Sequence, residues 1–263
     1  MSIHPAAAGV ETKMGTVASR PELSAAVVPR AAIQKPTVDA MYRLYARHYL
    51  DTTRPLFDSD LAAKTHVLVL TDDAGRLCGF STLQVYQSAA AGDPVRVLYS
   101  GDTIVDPQHW GSSALALAWL RFAGATYRLD PGVPLYWLLI VKGHRTYRFL
   151  PTFARDYQPH HDRPPTDRQR ALLNALAAQK FGEAFEPHSG IVRFASPRGR
   201  LNADLAEIDA PHLRLPAVAY FLQRNPGYRD GDELVCLCEL APENLRPLAA
   251  RVFAPDCARS QTS

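Results

Sequence analysis

Between Pro134 and Lys142 the chain reads Leu-Tyr-Trp-Leu-Leu-Ile-Val, so residues 135–141 carry no charge. The run has the length of a strand and shows no alternation of polar with apolar residues. A strand with one wet face alternates, whereas a strand covered on both faces is apolar throughout. Residues 135–141 therefore predict a central strand, and a sheet covered on both sides needs helices packed against it. That confines the chain to a layered α/β or α+β fold.

The flanking segments supply the layers. Val38, Met41, Leu44, Tyr45, His48 and Tyr49 recur at helical spacing behind Thr37, a good N-cap, and residues 58–64 suit a short second helix. Residues 66–71 and 77–86 are apolar runs joined through Asp72-Asp73-Ala74-Gly75, which predicts a hairpin with Gly75 at positive φ. A third strand spans residues 95–105 and is interrupted by Gly101, the mark of a bulge or of a close backbone approach. Residues 107–111 break it, residues 112–128 read as a helix, and residues 144–150 as a short helix stopped at Pro151. Residues 160–165 are linker-like, after which Thr166 caps an amphipathic helix. This divides the chain into a floppy leader (residues 1–35), a core (36–160) and a C-terminal α+β extension (166–255) expected to shape an acceptor or acyl pocket.

Composition removes several classes of function. Apolar residues are 47% and charged residues 21% of the 263, so a packed core is expected rather than a disordered chain. The formal charge of +3 is mild, and its Arg and Lys residues are scattered, so no nucleic-acid partner is implied. No apolar run approaches the roughly 18 residues of a membrane span, and Glu11, Lys13 and Arg20 interrupt any signal-peptide core; a cytoplasmic protein is expected. Cys78, Cys236, Cys238 and Cys257 lack the spacing of a zinc site and are read as reduced thiols. Cys236 and Cys238 sit two apart, so on a strand both point to one face and pack in the core. His160 and His161 lack the His-Glu spacing of a metalloenzyme, and no metal is assigned.

The order helix, helix, hairpin, strand, glycine turn, helix, buried strand, short helix resembles the GNAT superfamily of N-acyltransferases over roughly residues 38–157. That family's acyl-CoA loop follows the pattern Gln or Arg, two residues, Gly, one residue, Gly or Ala, between its fourth strand and third helix. Gln108-His109-Trp110-Gly111-Ser112-Ser113-Ala114 stands at that place and matches at Gln108 and Gly111, while Ser113 departs from the pattern. The implied fold is a mixed, mostly antiparallel central sheet with a splayed parallel strand pair, here followed by the C-terminal α+β extension. Helix starts present unpaired N–H groups and the positive end of the dipole, which suits a pyrophosphate independently of any family. Gly111 lets backbone approach an anion, and Ser112 or Ser113 can add a hydroxyl donor. Trp110 either walls the channel or packs against the sheet. The plainer reading of the segment is a strand-to-helix turn with Ser112 as N-cap.

The resemblance implies an acyltransferase that takes an acyl group from acyl-CoA, or from the phosphopantetheine of an acyl carrier protein, to an amine or similar nucleophile of a small molecule or protein. It implies that backbone groups of Ile104 and Val105 hold the pantetheine arm, with residues 135–141 as the second splayed strand. It places Asp102 as general base and Tyr147 as the acid that protonates the leaving thiolate. Asp102 otherwise bonds the bulge at Gly101, and Tyr147 is otherwise a buried structural tyrosine. His144 is a second candidate base, since it titrates near neutral pH, or else a surface histidine at a helix start. Arg145, Arg148 and Arg155 follow the second splayed strand and suit a carrier-protein donor. The rival reading is a non-catalytic protein of the same fold that binds a ligand or partner.

Overall fold

The computed structural model describes residues 23–255; residues 1–22 of the expected leader, and Cys257, lie outside them. The leader does not extend to residue 35. Ser24–Pro29 forms strand β1, which pairs antiparallel with β3 (His66–Thr71) from Ser24↔Thr71 to Pro29↔His66. Ala25 and Val27 pack on the core, so this short apolar stretch has a face to bury. Helix α1 (Lys35–His48) starts before the expected Thr37 cap, because Pro36 fits a first turn whose N–H groups need no partner. The two-residue strand β2 (Tyr49–Leu50) follows, and then α2 (Arg54–Ala62), capped by Thr53, whose hydroxyl accepts from Leu56 N–H. Here too a proline, Pro55, stands in the first turn and moves the helix upstream of the expected 58–64.

Strands β3 and β4 (Leu77–Ser88) form the expected hairpin, with Gly75 at φ 72°. Strand β5 (Val95–Val105) pairs antiparallel with β4, and β6 (Leu135–Val141) pairs parallel with β5 across the connecting helix α3 (Ala114–Arg128). Beyond β6 lie two short helices, α4 (His144–Tyr147) and α5 (Phe149–Phe153), where one stopped at Pro151 was expected. Pro151 sits in the first turn of α5, where its missing N–H costs no bond. Helix α6 (Asp167–Phe181) opens with a complete capping box between Thr166 and Gln169.

The rest of the chain continues the same sheet. After β7 (Phe185–Glu186), β8 (Ile191–Val192), β9 (Arg200–Leu201) and helices α7 (Ala203–Ala206), α8 (Ala210–Leu213) and α9 (Pro216–Arg224), strand β10 (Glu233–Glu239) returns beside β6. It pairs antiparallel from Leu234↔Val141 to Glu239↔Tyr136, and α10 (Pro247–Phe253) then packs on α3. The eight-stranded order is β1-β3-β4-β5-β6-β10-β8-β7, with β5–β6 the parallel pairing among the described residues.

β6 is covered on both faces, as its sequence requires. Trp137, Leu139 and Val141 join the core beneath α3 and α10, while Leu138 joins a second cluster with Leu173 and Leu176 of α6. Each such burial stabilises by about 1.5–3 kcal/mol. α1 and α2 cover β3, β4 and the end of β5 through Met41, Phe57, Leu61 and Ile104. Cys236 and Cys238 are buried free thiols in the α3-side core. Arg96, at the start of β5, is buried and donates to the carbonyls of Thr126, Tyr127, Asp130 and Val133, tying the C-terminal end of α3 to the sheet.

Candidate active site

Parallel pairing between β5 and β6 runs from Arg96↔Leu135 to Ser100↔Leu139 and stops there, although β5 continues to Val105 and β6 to Val141. The two strands therefore diverge, and a cavity of about 1020 Å³ opens between their ends. Its walls include Asp102 through Val105, Ile140, the turn His109–Ser112, and His144, Arg145 and Arg148.

The edge of β5 that faces this gap is set by alternation. Asp106 N–H donates to the Cys78 carbonyl at 2.8 Å, so main-chain groups at Asp106 and Ile104 point to β4, and those of Thr103 and Val105 point to the gap. Of the two residues expected to hold the arm, Val105 offers its backbone there; Ile104 turns its backbone to β4 and its side chain into the core under α1. The Val105 carbonyl accepts from Trp110 Nε1 at 3.0 Å, and the Arg145 guanidinium lies 4.2 Å from the indole centroid. Trp110 thus folds back over the mouth of the gap.

The turn from Gln108 to Ala114 is only partly at the cavity. His109, Trp110, Gly111 and Ser112 line it, whereas Gln108, Ser113 and Ala114 do not. Gln108 belongs to a single 3-10 turn, exposed, with its N–H held by the Asp106 carboxylate at 3.2 Å. Gly111 has φ 89°, a left-handed conformation that favours glycine. Ser112 Oγ accepts from Ala114 N–H at 3.2 Å, and Leu117 N–H bonds to the Ser113 carbonyl. That leaves the first-turn N–H groups of Leu115 and Ala116 without an intrahelical acceptor, at the positive end of α3.

The deep half of the cavity is charged, which sequence reasoning missed apart from Asp102. A one-residue slip in the β4–β5 register, from Ser81↔Thr103 to Leu83↔Ser100, sets Gly101 and Asp102 opposite Thr82. This β-bulge reverses the alternation, so Tyr99 and Asp102 face the same side, towards α2 and α6. Gly101 is needed there: a Cβ would stand 2.6 Å from Thr82 Oγ1 and 2.8 Å from Lys64 Cε. Lys64, at the end of α2, pairs with Asp60 at 2.7 Å, and Lys142 pairs with Glu233 at 3.2 Å. The second pair follows from register, because Leu234↔Val141 sets Glu233 opposite Lys142. Lys180 of α6 donates to Gln84 Oε1 at 2.7 Å and lies 3.9 Å from the Tyr99 ring centroid. Burial first, then Asp60, raises the Asp102 carboxyl to about 6 against the pull of Lys142 and Lys64. Burial lowers the Lys180 ammonium to about 8. The available signal was a charge at the end of each apolar run, Lys64 before β3, Lys142 after β6 and Glu233 before Leu234.

His144 is buried rather than superficial, lines the cavity, and leaves Nε2 without a hydrogen-bond partner. Burial, then Arg145 and His212, pushes its imidazole down to about 4, so it is neutral at neutral pH. Tyr147 does not stand where the expected acid would. It is fully buried among Tyr157, Tyr220 and Phe221, does not line the cavity, and its hydroxyl donates to the Pro159 carbonyl at 2.7 Å. Arg155 is likewise held elsewhere, by the Glu243 carbonyl. His160, His161 and Asp162 bring ligand atoms within 4.8 Å of one another. Both ring nitrogens of His160 are engaged, by Asp162 and by Arg163 at 3.0 Å, and His161 Nδ1 is engaged by the Tyr157 hydroxyl at 2.7 Å.

Among the described residues no helix is long and apolar enough to cross a membrane. No family model matches the sequence, and no curated protein matches it. Solved structures similar to parts of the chain include acetyltransferases and acyltransferases. One is the GNAT family N-acetyltransferase YhbS from Escherichia coli in complex with CoA, 17% identical over 57% of this chain and 81% of that one, with a TM-score of 0.39. Another is a probable N-acyltransferase from Enterococcus faecalis, 15% identical over 52% of this chain, TM-score 0.38; the match spans 33% of that protein's length. A third is Arabidopsis thaliana NAA60 in complex with acetyl-CoA, 11% identical over 51% of this chain and 89% of that one, TM-score 0.35. Within this chain itself, the mixed sheet and the splay of β5 from β6 make the fold GNAT-like.

Proposed function

We propose that the protein is a GNAT-type acyltransferase that moves an acyl group from a coenzyme A or carrier-protein thioester to the amine of a small molecule. The observation that carries this reading is the gap where β5 and β6 part at Ser100 and Leu139, with the Gly111 turn and the start of α3 at its mouth. An extended arm fits there because Val105 presents main-chain groups that no strand uses. The unpaired N–H groups of Leu115 and Ala116, at the positive end of α3, suit a pyrophosphate. A bound thioester supplies an activated acyl carbon whose transfer to an amine yields an amide and a free thiol.

The chain's own residues then manage the proton. Asp102 faces the cavity from the bulge and accepts the proton that the amine loses. A carboxyl raised to about 6 is ionised at neutral pH yet gives the proton up again, so Tyr147 is not required as a separate acid. His144, neutral and with an open Nε2, offers a hydrogen bond at the mouth rather than a base. The enclosure of the charged half favours a small acceptor over a protein.

Calorimetric titration with coenzyme A, paired with an assay for thiol release from acyl-CoA, tests the reading. Coenzyme A is expected to bind, and Asp102→Asn is expected to lower transfer by about 10²–10⁴ while leaving coenzyme A affinity in place. Absence of binding, together with silent transfer from any thioester, would sink it. The non-catalytic alternative draws on the Trp110 bond to Val105, and it prevails if coenzyme A binds but neither Asp102→Asn nor a His144 variant changes the rate. Donor choice is separable: Arg148→Glu is expected to weaken a carrier-protein donor more than coenzyme A, and equal effects count against a carrier protein.

A further inference from the structure

The charged half of the cavity holds more charge than proton transfer needs. Two of its pairs are closed on themselves, Lys64 with Asp60 and Lys142 with Glu233, each with at least one partner almost wholly buried. Two opposite charges without an ion pair remain beside them, Asp102 and Lys180; Arg198, on the same cavity wall, is exposed to solvent. Among the described residues, Asp102 has neither an ion-pair partner nor a hydrogen bond, and Lys180 meets only neutral groups, the Gln84 amide oxygen and the Tyr99 and Tyr86 ring faces. Lys142 and Lys64 act on Asp102 without pairing with it, and a charge held in a partly dry cavity without a contact partner is costly, so a fold with no use for it would carry an apolar residue instead.

Both leftover charges face one space. Lys180 rests on Tyr99, the bulge turns Tyr99 and Asp102 to the same face of β5, and all three line the same cavity. Three residues of strand set the Cα atoms of Tyr99 and Asp102 at most about 10 Å apart. Resting on the acyltransferase reading above, we propose that the acceptor is a small zwitterion, an amine that also bears a carboxylate, with its ammonium end at Asp102 and its carboxylate at Lys180. Such a ligand neutralises both charges at once. An amine alone leaves Lys180 uncompensated, and a carboxylate alone leaves Asp102 so. The shifts of the two groups agree in sign, since each moves towards its neutral form while the seat is unpaired.

The test is calorimetry on the full chain with the straight-chain amino acids from glycine to 6-aminohexanoate. Each is compared with its methylamide, which lacks the carboxylate, and with the matching fatty acid, which lacks the amine. At least one zwitterion is expected to bind about tenfold or more tighter than either analogue. Lys180→Met is expected to reduce it to the affinity of the methylamide, and Asp102→Asn to that of the acid, with coenzyme A binding kept by Lys180→Met as evidence of fold. Titration near pH 8 in two buffers of different ionisation enthalpy is expected to show proton uptake that Lys180→Met abolishes. A methylamide that binds as well as its zwitterion, or failure of the whole series to bind, overturns the proposal. Coenzyme A binding without zwitterion binding refutes the acceptor class alone, while zwitterion binding without coenzyme A binding refutes the acyltransferase reading alone.

Discussion

Asp102 is where structure and chemistry meet most closely, because burial makes its ionised form costly in the fold while the reaction uses that form. Its carboxyl titrates near 6 when folded, above the ordinary 3.8, so the folded state holds more protons than the unfolded between those values. Stability contributed by this group is therefore present below about pH 4 and is lost as pH rises through 6. Asp102→Asn is expected to raise the melting temperature at pH 7.5, by the equivalent of about 1–3 kcal/mol, and to have little effect near pH 4. A variant that is both less active and less stable at pH 7.5 would mean the carboxylate is structural. His144 has the opposite slope: its folded imidazole titrates near 4, below 6.5, so its share of stability falls away as pH drops from 6.5 towards 4. Trp110 makes a second residue-scale expectation. Its indole N–H takes the Val105 carbonyl, so Trp110→Phe, which keeps the ring and frees the acceptor, is expected to tighten coenzyme A binding by about twofold to tenfold. Weaker binding in that variant would make the indole part of the donor site.

At the scale of elements, the site depends on how the C-terminal half of α3 is fixed. Arg96 holds its C-terminal carbonyls in a fork that lysine cannot reproduce, so Arg96→Lys is expected to cost about 2–4 kcal/mol in urea unfolding. Near its middle, Gly124 lets α10 cross: a Cβ there would sit 1.9 Å from the Phe253 carbonyl oxygen, so Gly124→Ala is expected to destabilise by about 1–3 kcal/mol or more. The elements legible in the sequence are those whose signals are local. The apolar run of β6, the Gly75 hairpin and the Thr166 helix cap each announce themselves within about ten residues, and each forms. The starts of α1 and α2 misled because a proline in the first turn reads as a break when it is a start. Gly101 gave warning of a bulge, but not that the bulge would bring Tyr99 and Asp102 onto one face, since that depends on register with β4.

The whole molecule shows why the site was harder to read than the fold around it. Lys64, Asp102, Lys142, Lys180 and Glu233 lie on or beside five separate elements, and only the sheet order brings them together. The sequence contains no local sign that β10 returns to β6, so the segment after residue 166 read as an extension shaping the acceptor or acyl pocket without a residue to do it; in the fold its Glu233 lines the cavity and pairs with Lys142. Tyr147 illustrates the converse: its place after the second splayed strand suited an acid, but the packing of α9 buries it away from the cavity. The central claim is that the parted ends of β5 and β6, with the start of α3, hold a thioester donor. Amide hydrogen exchange with and without coenzyme A tests this most directly. Slowed exchange is expected at Val105 and at Gly111 through Ala116, with β1 and β8 unchanged; binding that protects other segments and leaves these as they were would contradict it.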